Sequence, residues 1–176
     1  MTNTLFVSDL HLSEETEHIE QGFYRFLNNE GEISRLFLLG DIFEAWIGDD
    51  DNSDLAKRFA HALTARAQRG TRIFFTPGNR DFLLGGNYLS QFGGTRLEDE
   101  VCVEVAGSQA LLMHGDTLCT DDTDYLKFRA LVHSPQWQAE MLAKPLEERR
   151  ALAQQLRAMS MDAASNKAED IMDVND

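Results

Sequence analysis

Long hydrophobic runs are missing from this chain. No stretch approaches the roughly 18 apolar residues that a membrane-spanning helix needs. The N-terminus shows no basic patch followed by an apolar segment, so no secretory signal peptide is read there. Cysteine is scarce. Cys102 and Cys119 are the only thiols, without CxxC spacing, and are expected to be reduced, small buried hydrophobes of a cytosolic protein. Positive charge is also short. A net charge of −14 argues against a sequence-independent nucleic-acid binder. Internal repeats, low-complexity tracts and Pro/Gly/Ser-rich linkers are absent as well. What remains is a 176-residue chain, 43% hydrophobic, of a size to form one domain with a real core.

The charge is unevenly spread. Between Lys127 and Lys167 there are seven Lys/Arg against four Asp/Glu, on an otherwise acidic body. Such a stretch suits local handling of an anionic group, or simply a solvated helical face.

Strand and helix alternate through the first half. Leu5-Phe6-Val7 is a short apolar run ending at Ser8-Asp9, and Leu36-Phe37-Leu38-Leu39 ends at Gly40-Asp41. Arg72 to Thr76 ends at Pro77-Gly78-Asn79. Between them, Ile19, Phe23, Phe26 and Leu27 recur at helical spacing, as do Leu55, Phe59, Ala62 and Leu63. Asn52 or Ser53 is the expected cap of the second helix and Gly70 its stop. This βαβαβ order predicts right-handed crossovers and strands buried on both faces. Val101 to Val105 and Ala110 to Met113, around Ala106-Gly107-Ser108-Gln109, read as a β-hairpin ending at His114-Gly115-Asp116. From about Asp121 the pattern is helical, with breaks at Pro135 and Pro145. The expected organisation is a sheet core over 1–120, a helical cap over 121–167, and the start of a return to the core over 168–176, the rest of that core being absent.

Four predicted strands thus end in Asp9-Leu10-His11, Gly40-Asp41, Gly78-Asn79-Arg80-Asp81 and His114-Gly115-Asp116. Open α/β sheets gather ligands outside the carboxyl ends of their strands. Taken singly, Asp9 could be a loop residue or helix cap, His11 and His114 structural histidines, and Asp41 and Asn79 turn residues. Taken together, carboxylates, imidazoles and an amide oxygen without a thiolate suit Mn²⁺, Fe²⁺, Zn²⁺ or Mg²⁺.

The order Asp-x-His, Gly-Asp, Gly-Asn-x-Asp and a strand ending His-Gly resembles the signature of the calcineurin-like metallophosphoesterases. That resemblance implies an α/β fold with the calcineurin-like sheet core and a helical cap insertion. It also implies two divalent metal ions, Mn²⁺ foremost. Asp9 and His11 would hold one ion, Asn79 and His114 the other, and Asp41 would bridge them. Such a pair polarises phosphoryl oxygens, activates water and neutralises a diphosphate that an acidic body would repel. Where the wider family carries Gly-Asn-His, this chain has Gly78-Asn79-Arg80. A guanidinium cannot act as a general acid near neutral pH, but it can stabilise charge on phosphate oxygens through forked hydrogen bonds. Arg80 is therefore the expected catalytic side chain.

Longer strings narrow the resemblance. They are Gly40-Asp41-Ile42-Phe43-Glu44-Ala45-Trp46-Ile47-Gly48-Asp49-Asp50, the run from Gly78 to Gly85, that from Met113 to Asp122, and Ile171-Met172-Asp173-Val174-Asn175. They are similar to the UDP-2,3-diacylglucosamine pyrophosphohydrolase family of lipid A biosynthesis. That family cleaves its lipid-linked nucleotide sugar to 2,3-diacylglucosamine 1-phosphate and UMP. The resemblance implies substrate contacts at Asn79, Arg80, Asp122, Ser160 and Lys167. Position 164, where the family often has a substrate-binding asparagine, is Ala164. Asn166, two residues on, lies on another helical face. The resemblance further implies peripheral contact with the cytoplasmic face of the inner membrane. The apolar residues Leu126, Phe128, Leu131 and Val132, then Trp137, Met141, Leu142 and Leu146, would line an acyl pocket, meet a membrane surface, or form ordinary helix packing. The net negative charge opposes general adsorption to anionic lipid, so any such contact is expected to be local.

The family's last metal motif, Gly-His-x-His, has no counterpart among His11, His18, His61, His114 and His133. The expectation is a C-terminally truncated chain that binds metal weakly and turns over negligibly. The alternatives are another calcineurin-like phosphodiesterase, or a fragment that holds metal or lipid without catalysis.

Overall fold

A computed structural model describes residues 3–165, with side chains to residue 160. The chain forms two compact units, one ending at His114 and the other beginning at Gly115.

The first unit is built on a parallel sheet. β1 (Asn3–Val7), β2 (Ile33–Leu39), β3 (Arg72–Thr76) and the short β4 (Thr95–Arg96) lie side by side in chain order. The register pairs Leu5 with Leu36 and Val7 with Leu38, then Leu38 with Phe75 and Leu39 with Thr76, so the carboxyl ends of β1, β2 and β3 finish together. Burial on both faces holds at the centre, where Phe37 and Phe75 are 2% and 1% exposed, whereas β1 is an edge strand with Phe6 41% exposed. A row of stacked rings, Phe6, Phe37 and Phe74, crosses the sheet with centroids 5.3 and 4.8 Å apart.

The crossovers are α1 (Glu17–Asn29) and α2 (Asp54–Ala67). Of the two expected caps, Ser53 is the one that begins α2, its hydroxyl accepting from the Ala56 N–H. Gly70 follows the helix with φ +92°, a conformation that costs glycine little. The helices meet through Phe23 and Phe59, 5.7 Å apart, and through a bidentate Arg58–Glu20 pair at 2.8 Å. A third helix, α3 (Gly86–Ser90), and β4 are both absent from the sequence expectation. α3 is short and begins on glycine, and β4 has two polar residues, so neither carries a periodic signal.

β5 (Glu100–Val105) and β6 (Ser108–Met113) form a separate antiparallel sheet. The connection is tighter than the four residues expected. Ala106 and Gly107 alone make the turn, both at positive φ (51° and 84°), as a two-residue hairpin of primed type requires. Cys102 is an exposed free thiol on β5, and Cys119 is a half-buried one. The expectation of two buried small hydrophobes therefore fails at Cys102, which falls on an outward position of an alternating strand.

The second unit is helical. After a short 3₁₀ turn (Asp116–Leu118) come α4 (Thr123–Val132), α5 (Pro135–Leu142) and α6 (Leu146–Ser165). Asp122 caps α4 by accepting from the Tyr125 N–H, and Ser134 caps α5 immediately before Pro135. Val132 and Met141 are buried, and Asp116 accepts hydrogen bonds from Tyr125 and from Arg129 Nε. Phe128, Leu131 and Leu142 remain exposed. Among the described residues, no helix is long and apolar enough to cross a membrane.

Candidate metal centre

The strand pairing of β1 with β2 continues past the ends of both strands. Asp9 N–H donates to the Gly40 carbonyl, His11 N–H to Asp41, Leu12 N–H to Ile42, and Glu44 N–H returns to Leu12. The two loops thus run together. An aromatic cluster beneath holds them down: Phe43 packs on Phe59 and Trp46, and Trp46 on Tyr88, at centroid distances of 5.0, 4.7 and 4.3 Å. The Tyr88 hydroxyl donates to the buried Ala56 carbonyl.

Asp9, His11 and Asp41 each have positive φ, between 48° and 54°. Such a backbone is uncommon for residues with a Cβ, costs of order 1–3 kcal/mol each, and tends to gather at functional sites. Asn79, the residue whose type best suits a left-handed turn, is not among them. Two glycines let the loops close. A Cβ on Gly40 would lie 2.6 Å from Gly78 Cα, and one on Gly78 would overlap Asp41. Asp81 pins the closure. Its fully buried carboxylate accepts from the N–H groups of Gly78, Ile42 and Asp41 at 2.9, 2.8 and 3.2 Å.

The polar side chains converge on Asp41, whose side chain is 3% exposed. His11 Nε2 lies 3.9 Å from Asp41 Oδ2 and 3.7 Å from Asp9 Oδ1. His114 Nε2 lies 3.7 Å from Asp41 Oδ1, while its Nδ1 is 2.9 Å from the Leu39 carbonyl. A carbonyl only accepts, so Nδ1 carries a proton and Nε2 is the nitrogen that faces Asp41. Arg80 N–H donates to Asp41 Oδ1 at 3.0 Å, and its Nε sits 3.1 Å from Oδ2 without aiming its hydrogen there, an ion pair rather than a hydrogen bond. Arg80 Nη1 donates to Glu44 Oε2 at 2.6 Å.

Burial pushes the Asp41 carboxyl up to about 6, with His114 pulling it down and Asp81 pushing it further up. Burial also raises the Asp81 carboxyl, against the three N–H groups that favour its charge. A buried acid held beside another buried acid is a place where a divalent cation is welcome.

The donor set fits such a cation. Ligand atoms of Asp9, His11 and Asp41 lie within 4.8 Å of one another, close to the spread that a single ion spans with ligands about 2.0–2.2 Å away. The Asn79 amide is placed with its oxygen toward Asp41, 2.7 and 2.6 Å from the two carboxylate oxygens. Turned over, its nitrogen would donate to both. That turned orientation satisfies both groups without an ion, and rotating the amide back would offer its oxygen to a shared cation.

The structure thus gathers Asp9, His11, Asn79, Arg80 and His114 around Asp41, just beyond the strand ends. Asp122 and Ser160 belong to the second unit. Asp122 is buried as the α4 cap and Ser160 is exposed on α6. Lys167 lies outside the described residues. Two residues escaped the sequence reading, Glu44 and Asp81. Asp81 stood in the Gly78-Asn79-Arg80-Asp81 string, but its buried amide-binding role depends on contacts about forty residues away in the chain.

Acidic and imidazole side chains gathered beyond the ends of a parallel sheet are the donor set of a metal-dependent hydrolase, and the chain belongs to the calcineurin-like phosphoesterase family, which matches residues 2–166. Within that family it is similar to several enzymes that share one name. It is 49% identical to the UDP-2,3-diacylglucosamine hydrolase of Cellvibrio japonicus, over 98% of this chain and 72% of the relative. The enzyme of the same name from Chromohalobacter salexigens is 46% identical, over 97% and 70% respectively. That of Escherichia coli K12 is 49% identical, over 98% and 72%.

Proposed function

We propose that this chain hydrolyses the diphosphate of UDP-2,3-diacylglucosamine at a centre of two divalent ions, Mn²⁺ foremost, in lipid A biosynthesis. The products are 2,3-diacylglucosamine 1-phosphate and UMP. One observation carries the reading: the nearly buried Asp41 carboxylate has His11, Asn79, His114 and Arg80 gathered on its two oxygens. The names of relatives nearly half identical over almost the whole chain support the substrate.

Asp9, His11 and Asp41 would hold one ion, and Asp41, Asn79 and His114 the other. Bound there, the ions supply Lewis acidity toward phosphoryl oxygens and acidify water at neutral pH. The chain's own groups set the geometry. The Leu39 carbonyl fixes the His114 tautomer. Asp81 fixes the backbone at Asp41 and Gly78. Arg80, 20% exposed, offers its guanidinium to phosphoryl oxygens as charge grows on them, while its backbone N–H holds Asp41. Asp122, Ser160 and Lys167 contact the nucleotide sugar in this reading. The exposed Phe128 and Leu131 of α4 give the second unit an apolar surface for acyl chains or for peripheral contact with the inner membrane.

The test is hydrolysis of UDP-2,3-diacylglucosamine against bis-p-nitrophenyl phosphate, with and without Mn²⁺. Release of UMP from the former, abolished by chelation, is expected. Cleavage of only the simple diester would replace the reading with that of another calcineurin-like phosphodiesterase. A second reading is a centre that binds metal and substrate without turnover. Saturable Mn²⁺-dependent binding of the nucleotide sugar with no UMP released would select it.

A further inference from the structure

Glu44 stands three residues beyond Asp41, and its carboxylate touches two groups of the site at once. Oε2 accepts a hydrogen bond from Arg80 Nη1 at 2.6 Å and lies 3.3 Å from His11 Nδ1, an ion-pair distance rather than a hydrogen bond. The side chain is only one-third exposed, and its backbone is tied on one side by the Glu44 N–H bond to Leu12. Two residues on, Trp46 N–H donates to the Arg80 carbonyl, so the segment that carries Glu44 is fastened to Arg80 and to Leu12, the neighbour of His11.

We propose that Glu44 is the positioning residue that couples the metal centre to the phosphate-binding arginine. The inference rests on the roles given above to His11 and Arg80. The geometry assigns it two tasks. A carboxylate 3.3 Å from Nδ1 favours a proton on that nitrogen by its charge. Nε2 then faces Asp9 and Asp41 with its lone pair, the orientation a metal ligand needs. With the same carboxylate on Nη1, the guanidinium is held at the rim of the site and does not fold fully onto Asp41. A carboxylate is needed for both tasks, because it offers several lone pairs and a full charge to two cationic or donor groups. The plainer alternative is an ion pair that adds only stability, and its removal would leave Mn²⁺ affinity unchanged.

The two tasks separate experimentally. Mn²⁺ affinity, followed by the paramagnetic resonance signal of the free ion, reads the His11 contact without any substrate. Glu44→Ala and Glu44→Gln are each expected to lower it by about 10–100-fold, the usual effect of removing a partner behind a ligating histidine. The melting temperature of the metal-free protein should stay nearly unchanged. The loss should be equally large in an Arg80→Ala background. The Arg80 contact is read by calorimetric binding of UDP, a soluble nucleoside diphosphate, with each variant saturated in Mn²⁺. Glu44→Ala and Arg80→Ala should each weaken UDP, and the double variant should bind it no more weakly than Arg80→Ala alone. Mn²⁺ affinity within twofold of wild type in Glu44→Gln would overturn the first task. Fully additive losses of UDP affinity would overturn the second. Neither result depends on which nucleotide sugar is the substrate, so failure here is distinct from failure of the proposed reaction.

Discussion

At Gly78 a single hydrogen atom stands where any other residue would place a carbon into Asp41. The loops that carry Asp41 and Asn79 approach this closely because Gly40 and Gly78 meet backbone to backbone, with Asp81 beneath them accepting three N–H groups. Gly78→Ala is therefore expected to cost about 1–3 kcal/mol of stability by overpacking. It should also displace Asp41 and lower Mn²⁺ affinity at least tenfold. Urea denaturation and a metal titration of the same variant check both, and a stable variant with wild-type metal affinity would count against the described closure. The candidate ligands were legible in the sequence because each follows an apolar run that could only be a strand. Glu44 and Asp81 were not, because an acid's partners depend on which distant loops the fold brings beside it.

Among the elements, α1 and α2 are fastened to each other, and α2 meets the Asp41 loop through Phe59 and Phe43. Their contact combines the Phe23–Phe59 stack with a polar clip, in which Glu20, 1% exposed, takes two hydrogen bonds from Arg58 and one from Tyr24. The hydrogen bond from Arg58 holds the Glu20 carboxyl below the usual range. Arg58→Ala leaves that carboxylate buried with only the tyrosine, and the expected loss is about 2–3 kcal/mol in urea denaturation. The loss should shrink as the pH falls below the carboxylate range, because a depressed acid contributes its stability above its unfolded pKa and loses it on protonation. A loss below about 0.5 kcal/mol would show that the clip is replaced by water. The helices, the three long strands and the hairpin were readable from periodicity. α3 and β4 were not, since their identity comes from packing: Tyr88 and Leu89 are both 1% exposed in a helix of five residues.

For the whole molecule, the acidic body and the buried acids of the site make protons and metal ions competitors. A carboxyl whose folded pKa is raised stabilises the protein most below its unfolded pKa, and that contribution is lost as pH rises through the folded value. Asp41, pushed up to about 6 by burial, and Asp81, also raised, should therefore make the metal-free protein less stable at pH 7 than at pH 5, as far as these two groups decide it. A divalent ion prefers the ionised form. The rise in melting temperature on adding Mn²⁺ should accordingly grow from pH 5 to pH 7, with affinity falling about tenfold per pH unit below 6. A metal-induced shift independent of pH would contradict this linkage.

The proposed centre turns on one buried carboxylate, that of Asp41. Titration of the wild-type chain and of Asp41→Ala with Mn²⁺, followed by the signal of the free ion, tests it most directly. Two ions bound per wild-type chain and both lost together in Asp41→Ala is the expected result. An Asp41→Ala variant that keeps two ions at wild-type affinity would contradict the account.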